Sequence, residues 1–331
     1  MKIKLYSVRP DEQVAIDKYA TTHPGIELIT TTDEFHPDNV TSAQGVDAIV
    51  IQQRSAVGGD AKFYETLAGF GLKQITTRTA GLDAIEVDLA TAAGLKVSNV
   101  PAYSPRSVAE FALMQIFRLL RHTPEFDANI AQQNYTWDGL QSREIHSVTV
   151  GIIGAGRIGG TLANLLHALG ARVLAYDVKP RVEVAYVAEY VTLPELLAQS
   201  DVISMHVDLN PTSEGLISAA VLQQMKPGML LVNASRGPVI DTKALFKALD
   251  DGIVAAAALD TIEGEGPVFA KDLSGQALTD PIIAEAQKRH DILLTPHIAF
   301  YTNKAVENMV QISLDDALAI VTHGHSEHDV N

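Results

Sequence analysis

Short apolar runs alternate with amphipathic stretches along the first hundred residues. The apolar runs predict five strands, over residues 2–8, 26–29, 46–51, 73–77 and 95–98. Helical spacing of apolar positions predicts helices between them, over residues 10–20, 59–68 and 87–93. Strands that alternate with helices favour a parallel sheet covered on both faces. We therefore predict a small α/β domain here.

The same alternation returns after residue 147. Strands are predicted over residues 148–153, 172–176, 201–207, 229–234, 254–259 and 292–295, and helices over residues 158–169, 194–199, 218–225, 242–249 and 303–321. The last helix can return to the first domain, which would make that domain discontinuous. The predicted fold class is α/β, with two doubly wound parallel-sheet domains.

A proline-rich break at residues 101–105 precedes a further helix, which Ser104 can cap. This helix has an unusually wide apolar face between Val108 and Leu120. Such a face is typical of a helix buried between domains. It also fits a subunit interface, and the pattern leaves both interpretations open.

A glycine motif lies between the first two strands of the second series. Gly154, Gly156 and Gly159 have the G-x-G-x-x-G spacing, directly after a strand and at the start of a helix. In this context the glycines allow a tight turn, approach of a pyrophosphate, and close packing of helix on strand. Asp177 ends the next strand, where its carboxylate can accept both ribose hydroxyls. A simple glycine-rich turn is the alternative, but the complete context favours a dinucleotide site.

Charged residues follow other strands of the second series, where ligands of parallel sheets bind. Reduction of a ketone needs a proton donor near neutral pH, and His297 suits that role. Glu265 can orient the imidazole, and Arg236 can hold a carboxylate with its planar fork. Taken singly, each residue also fits a purely structural role.

Composition narrows the class of protein. The 331 residues carry a net charge of −15 and no cysteine, which disfavours nucleic-acid binding and excludes disulfides and thiolate chemistry. No apolar run suggests a signal segment or a membrane span, so we expect a cytoplasmic protein. His323, His325 and His328 are interpreted as part of a solvated tail rather than as a metal site, and no metal is predicted.

Several ordered motifs resemble the D-isomer-specific 2-hydroxyacid dehydrogenase family, most closely its D-lactate and D-hydroxyisocaproate dehydrogenase branch. The matching segments are residues 79–83, 99–113, 150–160, 225–241, 258–269 and 293–302. The resemblance implies a Rossmann-type NAD domain, residues 103–299, inserted in a smaller flavodoxin-like substrate domain, residues 1–102 and 300–331. It also implies a homodimer that uses NADH to reduce a 2-keto acid, pyruvate foremost, to the D-2-hydroxy acid.

The resemblance assigns roles to matching residues. Arg236 would bind the substrate carboxylate, and Glu265 would pair with His297, the acid in reduction and the base in oxidation. The implied cofactor contacts are Gly154, Gly156, Arg157, Ile158, Gly159, Asp177, Val207, Ser213, Ala234, Ser235 and Asp260, the last beside the nicotinamide. The implied substrate contacts, besides Arg236, are Ile51, Tyr103, Phe300 and the backbone N–H groups near Ala80 and Gly81.

Two positions depart from the family pattern. Asp208 stands where a proline is usual. This difference affects the expected shape of the cofactor site next to Val207. Ile51 stands where an aromatic residue is common, so branched or aromatic 2-keto acids are alternative substrates. A non-catalytic NAD-sensing protein, similar to corepressors of this family, is a further alternative.

Overall fold

The computed structural model describes residues 1–53 and 55–331. The chain divides into two compact units. The discontinuous unit contains residues 1–104 and 301–331, and the continuous unit contains residues 105–300. The predicted boundaries lie two residues and one residue earlier in the chain.

The strands and helices follow the predicted alternation. The strands are β1 Lys2–Leu5, β2 Glu27–Thr30, β3 Ala48–Ile51, β4 Gln74–Thr77, β5 Lys96–Ser98, β6 Thr149–Ile153, β7 Arg172–Tyr176, β8 Glu189–Tyr190, β9 Val202–Met205, β10 Met229–Asn233, β11 Val254–Leu259 and β12 Ile292–Leu294. The helices are α1 Gln13–Thr22, α2 Ala61–Gly69, α3 Val87–Ala92, α4 Pro105–Leu120, α5 Thr123–Ala131, α6 Arg157–Ala168, α7 Leu193–Gln199, α8 Ala219–Leu222, α9 Thr242–Asp250, α10 Pro281–Lys288 and α11 Asn303–His323. Short 3-10 helices lie at Pro10–Glu12, Pro37–Ala43, Ile145–Ser147, Val184–Tyr186 and Gly237–Val239.

The discontinuous unit has a parallel sheet of order β2-β1-β3-β4-β5. This is the flavodoxin-like order, as predicted. Buried side chains of α11, Val310 and Leu314, pack with Ile3 and Leu5 of β1 in one apolar cluster. The later helix therefore completes the core of the unit that the first hundred residues begin.

A buried ion pair joins the carboxyl ends of three strands in this unit. The side chains of Arg78 and Glu12 are both 0% exposed, with Nε donating to Oε1 over 2.9 Å. The guanidinium also donates to the carbonyls of Tyr6 and Val50, after β1 and within β3. Burial lowers the pKa of Arg78, and the nearby carboxylate partly offsets this effect. Because its donors are satisfied, the arginine can be buried and can fix the start of the segment after β4.

Ile51, a predicted substrate contact, is buried in the core of the discontinuous unit. It is the last residue of β3, it is 1% exposed, and it belongs to an apolar cluster with Tyr6, Phe35 and Phe63. All four residues of β3 are buried, since helices cover both faces of this sheet. The predicted contact of Ile51 with the substrate stays a prediction.

The residues after α11 are also ordered against the sheet, contrary to the predicted solvated tail. Asp329 pairs with Ser98 in an antiparallel bridge, and the Val330 N–H donates to the carbonyl of Val97 over 2.9 Å. His328 Nδ1 lies 3.0 Å from the carboxylate of Asp316. These bonds hold the segment along the edge of β5.

The continuous unit has a parallel sheet of order β12-β11-β10-β9-β6-β7-β8. From β6 onward this is the Rossmann-type order 3-2-1-4-5-6 with one further strand, which confirms the predicted fold class. Ala112 and Ile116 of α4 are fully buried and pack with Leu162 and Leu166 of α6. The wide apolar face of α4 thus belongs to the core of its own unit. Among the described residues, no helix could cross a membrane.

Candidate active site

The loop between β6 and α6 has the shape that the glycine motif predicts. Gly154 has a φ of +92°, and a Cβ there would lie 2.6 Å from the carbonyl oxygen of His206. A Cβ on Gly159 would lie 2.1 Å from the carbonyl oxygen of Gly154. A Cβ on Gly156 would meet no atom within 4 Å, so this side of the loop is open. The residues therefore fit a pyrophosphate at the start of α6.

Asp177 directly follows β7 and is half-buried, and one carboxylate oxygen accepts the Lys179 N–H over 2.8 Å. The nearest arginine in sequence, Arg181, donates from Nε to Glu183 over 2.9 Å. A carboxylate at this position fits the ribose hydroxyls of NAD, whereas it would repel a 2′-phosphate.

The other predicted cofactor residues follow β6, β9 and β10 at the same edge. Arg157 is exposed, whereas Ile158, Val207 and Ala234 are half-buried. All four can therefore be reached from solvent, and their contact with the cofactor stays a prediction.

His206, at the end of β9, adds a polar group to this edge. Its Nε2 lies 2.8 Å from the Ser204 hydroxyl, and its buried Nδ1 has no hydrogen-bond partner within the described part of the chain. Burial lowers the pKa of His206 to about 4. The ring is therefore neutral at physiological pH and contributes no positive charge.

The Ser213 hydroxyl forms hydrogen bonds within the protein. This buried hydroxyl donates to the carbonyl of Asp208 over 2.5 Å and accepts the Asn210 N–H over 2.9 Å. These bonds close a turn after β9, and the predicted contact of Ser213 with the cofactor stays a prediction. The side chain of Asp208, the departure from the family pattern, is exposed.

The segment after β10 positions Arg236. The Asn233 side chain accepts the N–H and hydroxyl of Ser235, over 3.0 and 2.7 Å, and donates to the carbonyl of Arg236 over 3.0 Å. A Cβ on Gly237 would lie 2.2 Å from the carbonyl carbon of Ile262, so this loop is pressed against the segment that carries the predicted acid. Asn233 was missed in the sequence, although an asparagine two residues before a serine is a typical Asx-turn signal.

Glu265 and His297 form the predicted pair. The distance between His297 Nδ1 and Glu265 Oε1 is 2.5 Å, and the second carboxylate oxygen accepts the Ile262 N–H over 2.9 Å. The side chain of His297 is 28% exposed, and that of Glu265 is 21% exposed. The carboxylate therefore fixes the orientation of the ring and faces its Nδ1 edge.

Asp260 holds the segment that carries His297. Its carboxylate, in a residue that is 3% exposed, accepts the Thr295 hydroxyl over 2.7 Å and the N–H groups of Ile298 and Ala299 over 3.0 and 2.9 Å. His297 itself has a φ of +57°, a conformation that costs on the order of 1–3 kcal/mol for a residue other than glycine. Three bonds around the histidine maintain this conformation. Asp260 thus holds the backbone on both sides of His297, and its predicted contact with the cofactor stays a prediction.

The remaining predicted substrate residues are distributed over the two units. In the discontinuous unit Ala80 is exposed and Gly81 and Tyr103 are half-buried, and the carbonyl of Tyr103 accepts the Asn308 amide over 2.6 Å. Phe300, the last residue of the continuous unit, is half-buried. Their roles toward a substrate stay predictions.

Comparison with known proteins identifies the family. Residues 113–299 match the family model described as the D-isomer specific 2-hydroxyacid dehydrogenase, NAD binding domain. D-lactate dehydrogenase of Lactiplantibacillus plantarum is 40% identical, over 100% of this chain and 99% of the relative. A D-lactate dehydrogenase structure from Sporolactobacillus sp. is 50% identical, with a TM-score of 0.87, over 100% of this chain and 99% of that one. The NAD-complexed D-isomer specific 2-hydroxyacid dehydrogenase of Lactobacillus delbrueckii ssp. bulgaricus is 36% identical, with a TM-score of 0.89, over 100% of both chains. The predicted family is confirmed: the chain belongs to the D-isomer-specific 2-hydroxyacid dehydrogenases and is an NAD-dependent enzyme of that family.

Proposed function

We propose that this enzyme uses NADH to reduce pyruvate, or a slightly larger 2-keto acid, to the D-2-hydroxy acid. The observation that carries the proposal is the 2.5 Å contact between Glu265 and His297, together with the close approach of the Arg236 loop to the segment that precedes Glu265. The D-lactate dehydrogenase names of similar proteins support pyruvate as the substrate.

The proton and the hydride have separate sources. When bound, the reduced nicotinamide supplies a hydride to the keto carbon. His297 donates a proton from Nε2 to the keto oxygen, because its Nδ1 edge faces Glu265. The carbonyl thus gains a hydride and a proton and becomes a hydroxyl, while the imidazole is left neutral. Oxidation of the hydroxy acid reverses these transfers, with the neutral imidazole as the base.

Binding residues complete the site. Arg236 would hold the substrate carboxylate with two parallel N–H donors and would polarise the keto oxygen. Peptide N–H groups near Ala80 and Gly81 would also bind this carboxylate. The open face of Gly156 and the carboxylate of Asp177 would hold the pyrophosphate and the ribose of NAD.

The direct test follows NADH absorbance with pyruvate, 2-ketobutyrate, 2-ketoisocaproate and phenylpyruvate, and identifies the product enantiomer by chiral chromatography. We expect turnover of pyruvate and formation of D-lactate. An L-product would overturn the proposed stereochemistry. A chain that binds NADH but oxidises it with none of these acids would overturn the catalytic proposal and favour an NAD-sensing function.

We also propose that two copies of the chain associate through an apolar surface around α5. This helix buries no residue, and Ile130, Tyr135 and Trp137 nearby are 50%, 72% and 83% exposed. Light scattering after size-exclusion chromatography should give the mass of a dimer, and Ile130→Asp should shift it to a monomer. A wild-type monomer, or an Ile130→Asp dimer of unchanged stability, would contradict this surface.

A further inference from the structure

In the segment after β4, three consecutive carbonyl groups each accept a hydrogen bond. The carbonyl of Thr79 accepts the Val100 N–H over 2.9 Å. The carbonyl of Ala80 accepts the side-chain amide of Asn99 over 2.6 Å. The carbonyl of Gly81 accepts the hydroxyl of Thr79 over 2.9 Å. Each of the three peptide groups that begin at residues 79, 80 and 81 is thus oriented by a hydrogen bond to its carbonyl oxygen.

The direction of a carbonyl determines the direction of the following N–H. In a trans peptide the two groups of one plane point in opposite directions, and all described peptides are trans. The three anchored carbonyls therefore turn the N–H groups of Ala80, Gly81 and Leu82 away from their anchors. Within the described residues, none of these three N–H groups donates a hydrogen bond. A run of unpaired backbone donors is a receptor for an anion such as a carboxylate.

The base of this segment is rigid. Arg78 directly precedes it and is fully buried in its ion pair with Glu12. Its own N–H donates to the carbonyl of Ile51 over 2.8 Å. The segment therefore starts from a fixed point, and the orientation of its peptides depends on the anchors from Asn99 and Thr79.

We propose that Asn99 and Thr79 are positioning residues that hold these peptide groups in the orientation needed to bind the substrate carboxylate. The inference rests on the proposed function, since it supposes a 2-keto acid at these donors. Neither side chain needs to touch the substrate. Each acts by binding a carbonyl of the segment and thereby presenting the N–H group of the next residue.

Thr79 allows a closely matched test. Thr79→Val keeps the shape of the side chain but removes the donor to Gly81, whereas Thr79→Ser keeps that donor. We expect Thr79→Val to raise the KM for pyruvate about 10- to 100-fold, as for loss of bonds to a charged group, with a much smaller change in kcat. Thr79→Ser should retain a KM near the wild-type value, and the Kd for NADH should be unchanged in both variants.

Asn99→Asp is an independent test of the proposal, because it replaces the amide that donates to the carbonyl of Ala80 by a carboxylate that repels this carbonyl. Asn39→Asp is its control, since the Asn39 amide donates to the carbonyl of Glu34 over 2.8 Å in the same unit. We expect Asn99→Asp to raise the KM for pyruvate and Asn39→Asp to leave it unchanged. If Asn99→Asp does not fold, the two Thr79 variants decide the question.

The possible failures can be distinguished. A wild-type enzyme that reduces no 2-keto acid would refute the proposed function. A wild-type enzyme that reduces pyruvate, together with a Thr79→Val variant of unchanged KM, would overturn the inference alone. Equal rises in KM for Thr79→Val and Thr79→Ser would also overturn it, because the retained hydroxyl would then be without effect.

Discussion

Replacing Glu265 by glutamine removes one negative charge beside His297 and changes the shape of the side chain very little. Glutamine keeps a carbonyl oxygen that can accept from the imidazole Nδ1. The substitution therefore separates the charge of Glu265 from its role as a hydrogen-bond acceptor. Since the protonated imidazole is the reactive form in reduction and the neutral imidazole in oxidation, the two directions should respond differently.

The expected size follows from the geometry of the pair. Two opposite unit charges 4 Å apart attract by about 1 kcal/mol in water and by about 4 kcal/mol at an effective dielectric constant of 20. The side chains of His297 and Glu265 are 28% and 21% exposed, so an intermediate value of about 2 kcal/mol is appropriate. A loss of this size corresponds to about a 30-fold fall in rate.

Both reactions are followed by NADH absorbance between pH 5.5 and pH 9, and kcat/KM is compared between wild type and Glu265→Gln. Reduction should fall by about 30-fold, because it requires the positively charged imidazole that the carboxylate stabilises. Oxidation should fall less than reduction near neutral pH. Glu263→Gln is the control, because Glu263 is an exposed carboxylate on the same segment. An equal loss in both directions at every pH would refute the reasoning, since Glu265 would then act through geometry and not through charge.

Three further predictions concern binding and stability. Arg236→Lys keeps a charge but loses the planar fork, so kcat/KM for pyruvate should fall about 10- to 100-fold with unchanged NADH affinity; a loss mainly of NADH affinity would assign Arg236 to the cofactor site. Asp177 should make NADH much more efficient than NADPH, because Arg181 is bound to Glu183, and equal kcat/KM values for the two cofactors would exclude this. The pKa of His206, about 4 when folded, lies below its ordinary value near 6.5, so the unfolded state binds more protons between these values. The free energy of unfolding should therefore decrease as pH falls through this window, by at most about 3 kcal/mol, and His206→Gln should flatten the decrease in urea titrations; an equally steep decrease in the variant would contradict the assignment.

The sheets were the most predictable part of the fold. Buried parallel strands are nearly continuous apolar runs, and β11 was predicted with both ends correct. Helix α5 was not predicted, and it buries no residue, so it turns no apolar face toward the core of its unit. Helix α10 was also missed, although Asp280 as its N-cap and Pro281 at its first position are typical start signals.

The candidate site was predictable to the level of its charged residues. Motif and chemistry indicated Glu265 and His297, and the structure brings them into contact. The partners of Asp260 could not be predicted, because they come from a segment more than thirty residues later in the chain. The burial of Ile51 could not be predicted either, because its role was inferred from the family resemblance and not from the packing of β3.

The segment of residues 325–331 along β5 has a consequence for the behaviour of the protein in concentrated solution. An uncovered edge strand presents backbone donors and acceptors that can pair with a strand of another molecule. Here Asp329 and Val330 occupy those groups of Ser98 and Val97, and the amide oxygen of Asn331 accepts the N–H of Val97 over 2.8 Å. The chain thus closes this edge with its own residues, which protects the smaller sheet against edge-to-edge aggregation.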